Sequence, residues 1–367
     1  MPRQPRRSPA STHTRGGANA ARGWAKDAHV PALAALPGLV LEAVSARTQA
    51  SADAAAQAFG ARRAFGNSLD LVRDPAVDIV SVTVWVPEHR EIVLAALAAG
   101  KHVYCEWPLG RDAAETEEMA KTAAGTRSHV MIGLQALSSP AIRHAALLVA
   151  SGVFGRPQSL RVLVPTAGWG PVAPPFYAYL QDKRNGATLA TIGAGHVLAA
   201  VEHLVGGYTE VDALTSIFQK TVKIAGSDAV VERTCADHML IIGRHASGCV
   251  SSMEVIGGVQ QVGRIELVGS KGTLTLQSRH PGGFQVGNIE WEASVATDPV
   301  PAATSPGLTG GPANVAEAYA RLASDIRTDT WSIPDFRLAL HNTRLLDAIE
   351  LASESGRRQV VVPGAPD

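Results

Sequence analysis

Glu106-Trp107-Pro108 stands directly after the short apolar run Val103–Cys105. These residue types suit three jobs. A carboxylate accepts hydrogen bonds, an indole stacks on a flat ring and donates one N–H, and a proline fixes the loop. A second candidate, Val86-Pro87-Glu88-His89, follows the β-branched run Val77–Val84. Pro87 and Glu88 suit a helix start in any case, and His89 is either a helix-face residue or a group turned to a ligand. The third candidate is His196, in a stretch rich in Ala, Val and Leu. Imidazole titrates near neutral pH and so can move a proton; a satisfied core histidine is the plain alternative. Gly193 and Gly195 allow close approach of a ligand there, and His203 shares the same helical face. Tyr177, Tyr179 and Lys183, in the Gly/Pro/Tyr-rich loop Thr166–Asn185, are hydroxyl-binding candidates or simple surface groups. Near the start, Gly16-Gly17 and Gly23 precede a helical stretch, where backbone N–H groups can cradle a phosphate; the spacing is irregular and no apolar strand leads into it. Arg47, just past Leu39–Val44, suits a 2′-phosphate of NADP or is a solvated surface group.

The elements that must position these groups follow from pattern. Apolar runs at Leu39–Val44, Val77–Val84, Val103–Cys105 and Val130–Ile132 alternate with helical stretches at Ser51–Phe59, Glu88–Ala99 and Asp112–Ala124. Alternation of this kind predicts an α/β, doubly wound parallel sheet, with ligands at the carboxyl ends of its strands. Beyond it, helices at Ala141–Ser151 and Ala187–Val205 precede alternating segments from Val211 to Gln277. These predict an α+β domain with an open, mostly antiparallel sheet. Asn314–Arg327 and Phe336–Ser355 read as closing helices. The 367 residues, 46% hydrophobic, support two domains, expected at 17–137 and 138–367. Lys+Arg and Asp+Glu are 33 each, which argues against nucleic acid or an anionic membrane as partner. Three scattered cysteines show no metal-ligand spacing and predict free thiols in the cytoplasm. An open sheet face favours a homo-dimer or higher homo-oligomer.

The chain resembles the Gfo/Idh/MocA oxidoreductases, the family of glucose–fructose oxidoreductase and inositol dehydrogenases. The resemblance is carried by VPEHREIVLAALAAGKHVYCEWPLG, by Gly186–Gly206 and by RIELVGSKGTLTLQ (Arg264–Gln277). Glu106-Trp107, Gly133-Leu134-Gln135 with Ser139-Pro140, and Gly168-Trp169 are similar to the branch of the yeast galactose-pathway co-repressor and its bacterial relatives. The resemblance implies a Rossmann-like domain binding NADP or NAD through Gly17, Gly23, Trp24, Arg47, Val86, Pro87, His89, Glu106, Trp107, Pro108 and Gln135. Arg47 tilts that expectation toward NADP. It also implies a sugar or polyol held by Trp169, Tyr177, Lys183 and His196, with His196 as the catalytic acid/base and no metal.

Two departures bear on turnover. The family's lysine maps onto Trp107, which has no titratable proton near neutral pH, and its aspartate maps onto Ala199. Losing a proton-transfer partner costs a factor of about 10² to 10⁴. The expectation is therefore an oxidoreductase acting on CH–OH groups with an atypical site; the alternative is an inactive NAD(P)- or sugar-binding regulator acting through protein contacts. Residues 1–16 carry no apolar run. They are expected to be a disordered tail or mis-assigned coding upstream of about Gly17, leaving the first strand of the sheet missing.

Overall fold

The apolar runs of the first third pair into one parallel sheet. The computed structural model describes residues 8–13, as backbone, and 23–362. The strands are β1 (Ser8–His13), β2 (Leu39–Ser45), β3 (Arg63–Phe65), β4 (Ile79–Val82), β5 (His102–Glu106) and β6 (Val130–Gly133), in the order β3-β2-β1-β4-β5-β6. All four residues of β4 are buried, as a continuous β-branched run covered on both faces requires. The helices lie between the strands: α1 (Val30–Ala35), entered through a π turn at Ala25–His29, α2 (Gln49–Phe59), α3 (Ser68–Arg73), α4 (His89–Ala98) and α5 (Ala113–Ala124). Thr48 caps α2 by accepting from the Ser51 N–H, and Gly60, at φ 71°, ends it.

The missing first strand is corrected here. Ser8–His13 fills the central slot, with Ala10 opposite Leu41 on β2 and Ile79 on β4. Pairing is made by backbone groups, which the two neighbouring strands would otherwise leave unsatisfied. A segment without an apolar run can therefore supply it, and hydrophobic pattern alone missed it.

The chain forms two compact units. The first runs through Gly110 and adds Ala114–Gly133 and Ala303–Ala339; the second takes Arg111–Ala113, Leu134–Ala302 and the chain from Leu340. Ala303–Ala339 belongs to the first unit, because its helix α8 (Gly310–Thr328) buries Val315, Tyr319 and Leu322 in one core with Ala32, Leu33, Ile79, Tyr104 and Met131.

The second unit holds α6 (Pro140–Ala150), α7 (Gly195–Val205) and most of α9 (Phe336–Ser355), with two sheets. The larger is built from β7 (Pro157–Thr166), β9 (Tyr208–Ser216), β12 (His238–His245), β13 (Val250–Gly257), β14 (Gly263–Gly269), β15 (Thr273–Ser278), β16 (Ile289–Ala293) and β17 (Gln359–Val360). Their order is β16-β15-β14-β7-β13-β12-β9-β17, antiparallel throughout except for the β7–β13 pair. The smaller sheet joins β8 (Val172–Ala173), β10 (Thr221–Ile224) and β11 (Val230–Glu232). One face of the larger sheet exposes Leu214, Leu240, Ile242 and Val250, with Leu240 directly opposite Leu214.

Candidate functional site

Alternation along β5 sends Tyr104 and Glu106 to one face of the sheet and Cys105 to the other. On the first face, the Glu106 carboxylate meets the imidazole of His29, at the end of the π turn: Oε1 lies 2.9 Å from Nε2. His29 Nδ1 is 2.8 Å from the Tyr319 hydroxyl, and that hydroxyl is 2.6 Å from Ser81 Oγ. The Glu106 carboxylate accepts from Nε2–H, and the Tyr319 and Ser81 hydroxyls, each able to donate or accept, complete the chain. His29, Tyr319 and Ser81 are fully buried, while the Glu106 side chain keeps 13% exposure. Tyr104 closes the cluster edge-on to Tyr319, ring centroids 4.8 Å apart. The chain thus fixes a carboxylate at the carboxyl end of a central strand, where this sheet class binds ligands.

Trp107 is 5% exposed and Pro108 is buried behind it; the peptide joining them is cis. His89 does not turn its ring toward a ligand. It is fully buried, with Nε2 3.0 Å from the Val84 carbonyl and Nδ1 3.0 Å from that of Pro108. Burial lowers its pKa, and the neutral ring has one N–H: Nε2–H donates to the Val84 carbonyl while Nδ1 accepts from the Cys105 thiol, 3.4 Å away. His89 therefore ties the loop after β4 to β5. Val86 is buried, whereas Pro87, Trp85 and Arg47 are exposed at strand ends. Gly23, at φ 124°, sits at the helix start. Trp24 packs on the core, and its indole N–H has no partner among the described residues. Gly17 lies outside the described residues.

In the second unit, Thr188 and Thr191 form a capping box that opens a π turn, Leu189–Ala194, leading into α7. A Cβ on Gly193 would stand 3.0 Å from Leu189 Cδ1 and 3.4 Å from Val255 Cγ1, so this glycine serves the approach of helix to sheet rather than that of a ligand. His196 is 4% exposed, and burial pushes its pKa down to about 3. Its Nδ1 has no partner among the described residues. The expected titration near neutral pH is thereby corrected: burial makes imidazolium too costly. Asn342 on α9 donates to the Gly195 carbonyl, 3.0 Å away, and pins the start of that helix. Lys183 is spent on Glu350, with Nζ 3.2 Å from Oε1. Tyr177 is 44% exposed and packs on Phe176; Gln135 is buried in a 3₁₀ turn. Trp169 takes φ 57°, a conformation that strains a bulky side chain.

Three groups escaped sequence reading: His29, Ser81 and Tyr319 lie 52 and 238 residues apart in turn. A tyrosine on the apolar face of the amphipathic stretch Asn314–Arg327 was the available signal. Tyr319→Phe is expected to cost about 2–4 kcal/mol, since it strands two buried polar atoms at about 1–3 kcal/mol each. Urea unfolding would read it, and a loss below 1 kcal/mol would show that the hydroxyl is not shared as described.

Residues 21–134 match the sequence model of GFO_IDH_MocA, the oxidoreductase family with an NAD-binding Rossmann fold, and residues 140–278 match that of the Gal80p C-terminal domain. Among curated relatives, the chain is 37% identical over 188 residues to dehydrogenase aclE of Aspergillus oryzae, covering 50% of each chain. It is 26% identical over 294 residues to the galactose/lactose metabolism regulatory protein GAL80 of Saccharomyces cerevisiae, covering 71% of this chain and 65% of that one. The chain thus spans half to just under two thirds of these relatives' lengths. Two solved structures share the fold: a super-repressor mutant of S. cerevisiae Gal80p, at TM-score 0.82, 21% identity and coverage of 96% and 98%, and levoglucosan dehydrogenase in complex with NADH and levoglucosan, at 0.81, 20% and coverage of 96% and 100%.

The first unit fits a dinucleotide. Gly23 holds a positive φ at a helix N-terminus, whose N–H groups suit phosphates. Arg47 is exposed past the end of β2, with no hydrogen bond among the described residues, and suits a phosphorylated ribose.

Proposed function

We propose that the chain is an NAD(P)-dependent oxidoreductase that moves hydride between the nicotinamide and a CH–OH carbon of a sugar or polyol. The observation that carries this reading is the Glu106 carboxylate, fixed by His29, Tyr319 and Ser81 at the carboxyl end of β5. When bound, the cofactor accepts or gives the hydride. Trp107 offers an aromatic face, and Arg47 favours NADP. His196, neutral at working pH, offers its unpartnered Nδ1 to the substrate hydroxyl, and Trp169 and Tyr177 hold the substrate. The exposed face with Leu214, Leu240 and Ile242 supports a homo-oligomer, which sedimentation of the purified chain shows or excludes.

A second reading has its own support. Trp107 brings no ammonium and the burial of His196 makes it a weak base, which favours a regulator that binds NAD(P) or sugar without turnover. The deciding experiment follows cofactor absorbance with NAD⁺ or NADP⁺ and a panel of aldoses, inositols and sugar acids. Turnover is expected, falling by about 10² to 10⁴ in His196→Ala. Cofactor binding without turnover on any substrate removes the enzyme reading in favour of the regulator.

A further inference from the structure

At the end of the first unit's sheet opposite Glu106, two histidines fix the turn that follows α8. The backbone of His129, where the chain enters β6, places both its bonds on β5. Its carbonyl accepts from the Val103 N–H at 3.0 Å, and its N–H donates to His102 Nδ1 at 2.9 Å. An amide can only donate, so that nitrogen keeps its lone pair and the neutral His102 ring carries its proton on Nε2. The His129 ring, 3% exposed, reaches the other way. Its Nε2–H donates to the Thr330 carbonyl at 3.0 Å. The same ring lies flat on Trp331, with centroids 4.0 Å apart and planes 9° apart, while Trp331 keeps 58% exposure. His129 Nδ1 is left buried without a partner among the described residues. Two further ties hold the turn. The Ile132 N–H donates to the Pro334 carbonyl at 2.9 Å. The Asp325 carboxylate accepts from the Thr330 hydroxyl and from the Ser332 and Ile333 N–H groups.

A proton acts differently on the two rings, whose centroids are 5.2 Å apart. On His129 it goes to Nδ1 and leaves the bond to Thr330 intact. On His102 it goes to Nδ1, where it meets the His129 N–H. Donor then faces donor, and turning the ring only leaves that amide without an acceptor. The segment bearing His129 has to shift, and Thr330 and Trp331 lose their support. The surrounding groups do not relieve the conflict. Lys101, beside His102, is spent on the Asp74 and Val77 carbonyls, and the Asp78 carbonyl takes the His102 N–H. Arg127 precedes β6; Arg321, Asp325 and Asp329 lie on α8 or at its end. Burial, and after it the charge of His129, hold the His102 pKa down to about 4. Burial also works against the Asp325 charge, but the hydrogen bonds from Ser332, Thr330 and Ile333 outweigh it and keep that carboxyl below its ordinary value. Asp325 therefore stays charged while His102 changes.

We propose that His102 is a proton-operated latch: its neutral ring holds the turn at 330–334 and Trp331 against β6, and a proton on Nδ1 releases them while the rest of the sheet stays folded. The latch is independent of the oxidoreductase reading. Once the turn is open the ring titrates near its ordinary 6.5, so opening becomes easier by about tenfold per pH unit from there down to about 4. The test is hydrogen–deuterium exchange of the full chain at pH 7 and pH 5, corrected for the intrinsic effect of pH. Exchange at the His129 and Ile132 amides should rise by about tenfold or more, while Ile79–Val82 stays protected. Trp331 emission, read as wild type minus Trp331→Phe, should move to the red over the same range as water reaches the indole. Two variants assign the cause. His102→Asn keeps an acceptor near the Nδ1 position and cannot titrate, so its turn should stay closed at pH 5. His102→Leu has no acceptor and should be open already at pH 7. Unchanged wild-type exchange between the two pH values overturns the proposal. So does an equal rise in His102→Asn, which would assign the opening to His129 or Asp325, and so does simultaneous exchange at Ile79–Val82, which would mean that the sheet unfolds as a whole. Should neither variant fold, the wild-type exchange and emission decide alone.

Discussion

Arg233→Met is expected to destabilise the second unit by about 3–5 kcal/mol, because it leaves the Asp237 carboxylate buried without its counter-charge. The loss exceeds that of an exposed pair such as Arg279 with Glu290, which water screens. Arg233 also satisfies Gln181 and the Gly170 carbonyl, so one substitution strands three acceptors. Thermal unfolding should shift down by roughly 10 °C. A shift under about 2 °C would mean that the pair is solvated.

Stability should also fall in mild acid, by about 2 kcal/mol at pH 5 from His196 alone. The unfolded chain takes up a proton on this histidine near pH 6.5, whereas burial delays uptake in the folded chain to about 3. Above pH 6.5 both forms are neutral and stability is complete. As the pH drops from there toward 3, the unfolded state binds the extra proton and gains about 1.4 kcal/mol per pH unit. Burial lowers His89 and His245 as well, and partly exposed His102 to about 4, which adds loss of the same sign. Urea titrations at pH 7 and pH 5 on wild type and His196→Leu isolate the contribution: the variant should lose about 2 kcal/mol less. Equal losses would show that His196 protonates freely in the fold.

Much of this architecture was legible before the structure. Ile79–Val82 could only be a strand covered on both faces, and the Ala-rich segment before Gly60 could only be a helix with its stop. The segment Glu106-Trp107-Pro108 placed itself at a strand end for the same reason. Ser8–His13 was not legible, since its contribution is made by backbone groups that leave no mark in side-chain pattern. Nor was the allegiance of α8: an amphipathic helix announces that it has an apolar face, not which core receives it. Within the site, position along the chain found Glu106 and His196 but misjudged their settings. The partners that define those settings, His29, Tyr319 and Asn342, come from distant elements, and burial converted His89 from a candidate ligand contact into a loop tie.

The return of α8 to the first unit has a consequence for synthesis on the ribosome. Between Gly133 and Ala303 the growing chain makes the larger part of a different unit, and only afterwards does it deliver Val315, Tyr319 and Leu322. Until then the nascent first unit carries an uncovered apolar surface around Leu33, Ile79 and Met131, and His29 lacks its phenol. Domains ordinarily fold as they emerge, N-terminal first. This one has to wait nearly two hundred residues for its last helix, and such a pause is a window in which a chaperone, or a neighbouring chain, finds it open.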